Sequence, residues 1–371
     1  MLQKFKFIVI HLLVHRAIHN INRDDRGRPK NCYIGGTERG RHSSQSWKSI
    51  IVKFFRLLTS FTTSQQTAII GRNAYDQLVA GGIDEKLAEE YAFNIIGAFS
   101  SDKKKKDNDK EKDKKDDEKK KDKKDILKME TIKIQDCEIF AVNSLINKII
   151  EGYKPEKKDF NFLRVNESVD NALFGRMLAA RPQFDVEAAM AVAHGFTVNE
   201  CTTEEDYFTA TDSLQDSKEG KVSKGSAHLD KSFFAEGVFY HSFILDVDLL
   251  IKNLDGNVEL AEDVIRTLLE VAAMASPTAS KNRGAGSQAP SAYMMVEKCE
   301  KFPRQLAIAF QDAIEGPNVL EKAIDALETA KRKYDSLYYK LPSISLNYVT
   351  EDGNIQDVIN FAIEDLKTNE G

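Results

Sequence analysis

Apolar residues follow two clear patterns at the start of the chain. Residues 5–14, FKFIVIHLLV, are apolar at nearly every position, which predicts a buried strand. This run is far shorter than the ~20 residues that a membrane-spanning helix needs, so we expect no membrane anchor here. From Ser44 the spacing becomes that of one helical face, with apolar side chains at Trp47, Ile50, Ile51, Phe54, Leu57 and Leu58. The opposite face of this predicted helix carries Ser46, Lys48, Ser49, Lys53 and Arg56.

Further along the chain, helical and strand patterns follow one another. The spacing predicts helices within residues 72–100, 137–152 and 258–275. Apolar residues at alternate positions favour a strand at residues 186–196, although its alanines leave a helix possible. The segments 237–250 and 291–299 also predict strands, and 237–250 is rich in branched and aromatic residues. This order favours an α+β fold whose sheet is ferredoxin-like, as in an RRM, with large insertions. The aromatic RRM signature is absent, so we do not expect bases to stack on the sheet face in the usual way.

Two polar segments predict irregular structure. Residues 16–43 contain Gly27, Pro29 and the pair Gly35-Gly36, and we expect a loop there. Residues 206–240 have apolar ends and a polar middle, which predicts a long hairpin with a mobile tip.

Charge is distributed unevenly. Residues 102–125 contain 13 lysines and 10 acidic residues and no apolar residue, so this tract predicts a disordered loop. The whole chain has a formal net charge of -5, and without the tract the charge is -8. A surface that binds a polyanion must therefore be a local cluster of basic residues.

Few residues suggest catalysis or cofactor binding. The four cysteines are scattered without a C-x-x-C pair, which argues against a zinc site or a disulfide framework and favours the reducing cytoplasm. The chain has no Walker loop, no H-E-x-x-H and no G-x-S-x-G, so we expect neither a metal nor a cofactor.

The stretch GGTERGRHSSQSWKSI, residues 35–50, contains the strongest candidate binding site. Its serines can cap the backbone N–H groups at the start of the predicted helix. The same N–H groups and the positive end of the helix dipole can bind a phosphate, with Arg39, Arg41 and Lys48 nearby. The residues alone leave both interpretations open.

Two weaker candidates also have structural alternatives. Asp24 and Asp25 could hold a divalent metal against a phosphodiester, as in a metal-dependent ribonuclease, or could form ion pairs that order the loop. Arg176 could bind a phosphate and Met177 could wedge against a base, although both lie in an apolar run typical of a core.

Five segments in the same order resemble one family. NRDDRGRPKNCYIGGTERGRHSSQSWKS, ALFGRMLA, VEAAMAVAHGF, DYFTATDSL and GSAHLDKSFFAEGVFY are similar to motifs of the CasC backbone subunits of the type I-E CRISPR Cascade complex. The resemblance extends from about residue 10 to about residue 296.

The resemblance implies an architecture and a function. It implies a modified RRM palm (residues 1–60 and 181–371), a helical fingers insertion (61–180) and a hairpin thumb (204–238). Copies would form a filament along one CRISPR RNA, beside other Cascade subunits, and present the RNA for pairing with target DNA. The subunit itself would be non-catalytic, cytoplasmic and free of any membrane. A general single-strand RNA chaperone is a further hypothesis.

The resemblance also implies roles for individual residues. The RNA-binding residues would be Asn22, Arg23, Lys30, Arg39, Arg41, Ser43, Ser44, Gln45, Ser46, Lys48, Arg176, Met177, Phe208 and Thr209. Met177 would wedge beside a flipped nucleotide, and Phe208 and Thr209 would act from the thumb. Four positions lack the basic residue that is common in the family: Thr37, Glu38, Ser49 and Val52. Lys53 or Arg56 would have to compensate for the missing contacts.

Overall fold

The computed structural model describes residues 5–100, 127, 129–210, 228–276, 289–364 and 366. The charged tract at 102–125 and the tip of the predicted hairpin, residues 211–227, lie outside the described residues. Within the described part of the chain, no helix is both long and apolar enough to span a membrane.

Eleven strands and nine α-helices occur in the described residues. In chain order the strands are β1 (Phe7–His19), β2 (Asn31–Ile34), β3 (Thr37–His42), β4 (Ser64–Thr67), β5 (Ile132–Gln135), β6 (Met190–Val192), β7 (Gly195–Thr197), β8 (Glu204–Ala210), β9 (His228–Asp246), β10 (Tyr293–Cys299) and β11 (Ser343–Asn347). The helices are α1 (Ser44–Leu58), α2 (Ile70–Ala80), α3 (Glu85–Phe99), α4 (Asp136–Ile150), α5 (Val169–Phe174), α6 (Val247–Asn253), α7 (Val258–Met274), α8 (Val319–Leu337) and α9 (Ile355–Ile363).

The first of two compact units contains a large antiparallel sheet. This unit comprises residues 1–54, 190–248 and 258–371. The strand order is β11-β10-β1-β9-β7-β3-β2, and β6 and β8 also pair with β9. A mixed fold with an antiparallel sheet confirms the α+β class.

Strand β1 lies near the middle of this sheet, as its apolar sequence predicts. It pairs antiparallel with β10 on one side and with β9 on the other. Ile10, for example, lies opposite Val296 and Phe243. Its side chains from Ile8 to Val14 are buried, which explains the nearly continuous apolar run.

Helix α1 confirms the predicted helix but differs in its buried face. Trp47 and Ile51 are fully buried, as predicted. Leu57 and Leu58 are 65% and 60% exposed, whereas Phe55 is buried. The periodicity therefore holds for the first part of the helix only.

The predicted loop at residues 16–43 is wrong over much of its length. Strand β1 continues to His19, and β2 and β3 form an antiparallel hairpin in which Ile34 lies opposite Thr37. Gly35 and Gly36 form its two-residue turn, with φ values of 60° and 79°. Such positive values suit glycine and match the turn type that best fits the twist of a hairpin.

Two predicted strands have different limits in the structure. The strand predicted at 186–196 is two short strands, β6 and β7, separated at Ala193 and His194. The strand predicted at 237–250 ends at Asp246, because residues 247–253 form α6. Within residues 206–240, β8 and β9 pair as the predicted hairpin requires, with Asp206 opposite Ser232.

The second compact unit comprises residues 55–189 and 249–257 and is mainly helical. Helices α2, α3 and α4 confirm the predicted helices, and β4 pairs with β5. Its core is formed by apolar side chains that include Leu78, Ile95, Phe99, Ile134 and Ile146. The predicted fingers insertion covers residues 61–180. The assignment of the two units as palm and fingers stays a prediction.

Candidate nucleic-acid interface

Hydrogen bonds donated by backbone amides bring four of the predicted RNA-binding residues together in the first unit. The amide of Lys30 donates to the backbone oxygen of Asn22 over 2.8 Å, and the amide of Arg41 donates to that of Lys30 over 2.7 Å. The side-chain Oδ1 of Asn22 accepts from the amide of Ser43 over 3.0 Å. The loop before β2, the strand β3 and the start of α1 therefore form one connected surface.

Ser43 caps helix α1. Its Oγ accepts from the amide of Ser46 at 3.4 Å, and its backbone oxygen accepts from the same amide at 3.1 Å. The first turn of α1 contains no acidic residue, so the positive end of the helix dipole is not neutralised there.

The side chains of this first turn differ in exposure. Gln45 is exposed, Ser46 and Lys48 are half-buried, and Ser44 is buried. Trp47 anchors the turn to the sheet, because its Nε1 donates to Nδ1 of His241 on β9 over 3.0 Å. A phosphate at this surface would meet a helix end that is fixed in place.

His194 is a member of this surface that the sequence did not single out. Its Nδ1 accepts from the amide of Ser44 at 3.3 Å and lies 3.4 Å from NH1 of Arg41. Its position is set by pairing between β3 and β7, in which Arg41 lies opposite Phe196. Its inclusion in the VEAAMAVAHGF segment was the only sequence signal.

Arg39 has different surroundings from Arg41. It is fully buried, and its NH1 donates to the backbone oxygens of Thr197 over 2.9 Å and Val198 over 2.7 Å. The guanidinium thus holds β3 against the chain around β7. Its predicted contact with RNA stays a prediction.

The loop that carries Arg23 is ordered by Asp24. The Oδ1 of Asp24 accepts from the amides of Arg26 at 2.9 Å and Arg28 at 2.8 Å. Arg28 in turn stacks over the ring of Phe233 at 5.1 Å, while Arg23 is exposed. The Asp24 carboxylate therefore orders the loop through hydrogen bonds to backbone amides, whereas the predicted alternative to a metal site was a set of ion pairs.

No metal site is evident in the residues that the structure describes. They contain no group of three or more His, Cys, Asp or Glu side chains that could hold an ion.

Glu38, which makes this surface less basic, is engaged across the hairpin. The Nδ2 of Asn31 on β2 donates to its Oε1. Thr37, beside it, pairs with Ile34 at the turn. The carboxylate therefore has a partner within the hairpin.

Arg176 and Met177 lie in the second unit. The Arg176 guanidinium is buried and forms a bidentate pair with Glu138, with bonds of 3.0 and 3.1 Å. Its backbone also exchanges two 2.9 Å hydrogen bonds with Val186. Met177 is 78% exposed. Arg176 thus fixes the backbone from which the exposed Met177 extends.

The remaining predicted residues lie on β8. In the strand register, Phe208 is opposite Asp230 and Thr209 is opposite Leu229. Their roles stay predictions.

Comparison with known proteins identifies the family. The model of the CT1975-like protein family matches residues 8–369. This chain belongs to the CT1975-like protein family. The resemblance to Cascade backbone subunits is confirmed at the level of the family, whereas the type I-E assignment stays a prediction.

Two solved structures have the same fold as this CT1975-like protein. A chain of a "CRISPR RNA-guided surveillance complex, pre-nicking" aligns with a TM-score of 0.76 and 24% identity, covering 97% of this chain and 100% of that chain. A chain of a "CRISPR RNA-guided surveillance complex" aligns with a TM-score of 0.66 and 20% identity, covering 96% and 99%. No curated protein sequence matches significantly.

Proposed function

We propose that this CT1975-like protein is a non-catalytic backbone subunit of a type I-E-like Cascade complex and that it binds the guide RNA. The observation that carries the proposal is the surface formed by Lys30, Arg41, the Ser43 cap and the first turn of α1. Basic side chains and a helix N-terminus are the groups that bind a phosphate backbone without reading its sequence. Sequence would be read by base pairing between the guide and the target DNA.

The strand order supports an RRM-like palm as the base of this surface. In the sheet, β1 lies between β9 and β10, and the chain reaches β10 from β9 through α6 and α7. A helical link between the two strands that flank the first strand occurs in ferredoxin-like folds. The mainly helical second unit supplies the proposed fingers, and the β8–β9 hairpin supplies the proposed thumb.

Copies of the subunit would line one RNA. The chain has a net charge of -5, so each copy has only a local basic surface. Several weak sites on one strand add their binding through effective concentration, and a filament of copies beside other Cascade subunits supplies such sites. Binding by a single copy is expected to be weak and strongly dependent on salt.

The double variant Arg41→Ala with Lys48→Ala tests this surface. The full-length variant is titrated with single-stranded RNA long enough for several copies, at a series of salt concentrations. We expect affinity to fall at least about tenfold, because charged hydrogen bonds are lost. The slope of log K against log salt should fall by about 1.4, or ~0.7 for each lost phosphate contact.

A matched control removes one arginine and one lysine elsewhere. Arg332 and Lys333 are exposed on α8, and replacing both with alanine should change neither affinity nor slope. An unchanged salt slope in the Arg41 and Lys48 variant would show that these side chains do not contact phosphate.

A further inference from the structure

A groove in the first unit contains none of the residues of the proposed RNA-binding surface. It has a volume of about 400 Å³ and lies between Phe5, the end of β10 with the chain that follows it (residues 298–302), and the chain after α8 at residues 338–342. Three of the aromatic side chains that line it are well exposed: Phe302 by 71%, Tyr338 by 69% and Tyr339 by 68%. Several exposed rings in one concave surface are typical of a binding site.

The groove is basic although the chain is acidic. Lys298, Lys301 and Lys340 line it, against the single carboxylate of Glu300. Lys301 and Lys340 are exposed. The ammonium of Lys298 lies 5.2 Å from the ring centre of Phe5 and adds positive charge to the wall. A polyanion therefore matches this groove better than a basic or neutral partner would.

Hydrogen bonds hold the aromatic segment in position. NH1 of Arg304 donates to the backbone oxygen of Tyr339 over 3.3 Å. The amide of Leu341 donates to Oδ1 of Asp335 over 3.3 Å, and the amide of Lys298 donates to the backbone oxygen of Pro342 over 3.0 Å. Rings on a fixed backbone lose little entropy when a ligand stacks on them.

We propose that this groove binds single-stranded nucleic acid. Bases stack on Phe302, Tyr338 and Tyr339, and Lys301 and Lys340 contact the phosphates. Exposed aromatic rings interleaved with lysines are the groups that bind single strands without sequence preference.

The origin of the single strand that this groove would bind rests on the proposed function. Pairing of the guide with one strand of target DNA leaves the other strand single. Because every copy in a filament presents the same groove, even weak contacts would add up along that displaced strand.

The test uses the assembled complex with guide RNA and a labelled oligothymidine that cannot pair with the guide. Fluorescence anisotropy gives its Kd at several salt concentrations for the wild type and two variants. The variant Tyr338→Ala with Tyr339→Ala should raise the Kd about tenfold or more with little change in salt slope, because stacking is lost. The variant Lys301→Ala with Lys340→Ala should lower the salt slope.

The control variant is Tyr348→Ala, which removes an aromatic ring that is 76% exposed and lies outside this groove. It should bind the oligonucleotide as the wild type does. Unchanged binding in both groove variants would overturn the proposal. Loss of copies or subunits from the complex, seen in its mass, would also overturn it, because the groove would then be a protein interface.

The guide content of the wild-type complex is measured first and separates the two claims. A complex without RNA contradicts the proposed function, and the groove is still assayed directly with the oligonucleotide. A complex loaded with RNA, but with groove variants of unchanged Kd, contradicts the groove proposal alone.

Discussion

Arg39 and Arg41 are two residues apart on β3, yet they have opposite surroundings. Arg39 is buried and hydrogen-bonded to backbone oxygens near β7, whereas Arg41 is half-buried beside His194. Both arginines belong to the same basic stretch, so the sequence could not separate them. The difference depends on pairing between segments more than 150 residues apart, which no local pattern contains.

The contact of His194 with Arg41 leads to a prediction at this scale. Replacing His194 with leucine removes the acceptor that faces Arg41 and the amide of Ser44, so Arg41 is no longer held at the surface. We expect RNA affinity to fall about fivefold, as for one lost hydrogen bond, with a lower salt slope. Titration of the full-length chain with single-stranded RNA measures both.

The matched variant is His194→Asn, whose side-chain oxygen lies about where the Nδ1 atom was. It should restore most of the affinity and the wild-type salt slope. If the leucine and asparagine variants both bind like the wild type, His194 has no positioning role.

Among the elements, the β2–β3 hairpin depends on two glycines with different surroundings. Both have positive φ, but a Cβ on Gly35 would lie 1.9 Å from the backbone oxygen of Gln311, whereas a Cβ on Gly36 would have no neighbour within 4 Å. Gly36→Ala should lower the free energy of unfolding by about 1 kcal/mol, the cost of the left-handed conformation. Gly35→Ala should cost at least about 3 kcal/mol, because the Gln311 backbone must also move.

Urea denaturation of both variants checks this difference. Equal losses of stability in the two variants would contradict the close approach of Gly35 to Gln311.

The elements that the sequence predicts well are those whose pattern of apolar residues lies within the element itself. The apolar run of β1, the first turns of α1 and the whole of α7 each have a periodicity that the structure confirms. The hairpin β2–β3 was missed because its strands are short and polar, although a Gly-Gly pair beside Cys32, Tyr33 and Ile34 is a hairpin signal.

Part of the candidate site likewise could not be predicted from the sequence. The serine-rich start of α1 was recognisable, because N-cap residues precede an apolar periodic run. The burial of Arg176 was not, because its partner Glu138 lies on another element, 38 residues away in sequence. Distant partners decide whether an arginine contacts solvent or closes an internal ion pair.

For the whole molecule, three buried histidines predict sensitivity to acid. Burial lowers the pKa of His19 to about 4, with a further effect from Arg16, and it lowers the pKa values of His42 and His241 well below 6.5. Both ring nitrogens of His42 have no hydrogen-bond partner within the described part of the chain. These rings are therefore neutral in the folded protein.

Stability should consequently fall below pH 6.5. The unfolded chain takes up protons at these histidines near pH 6.5, whereas the folded chain resists them, so stability rises with pH across this range. His19 alone should cost roughly 1.5 kcal/mol between pH 6.5 and 5.0, since one pKa unit corresponds to ~1.4 kcal/mol, and His42 and His241 should add to this loss. Urea denaturation at pH 7.5, 6.0 and 5.0 measures the loss.

The control is the exposed His15, whose replacement by alanine should leave the pH dependence unchanged. Replacement of the buried His42 by phenylalanine should reduce it. Equal stability at pH 7.5 and 5.0 in the wild type would contradict the neutral buried state of these histidines.

Recovery of RNA with the assembled complex tests the central claim most directly. The chain is expressed with all partner subunits and a CRISPR array, and the purified complex is assayed for nucleic acid by absorbance and sequencing. The proposed function predicts guide RNA in a fixed ratio to the complex, because every copy binds one segment of a shared strand. Stoichiometric protein complex that is free of RNA would contradict it.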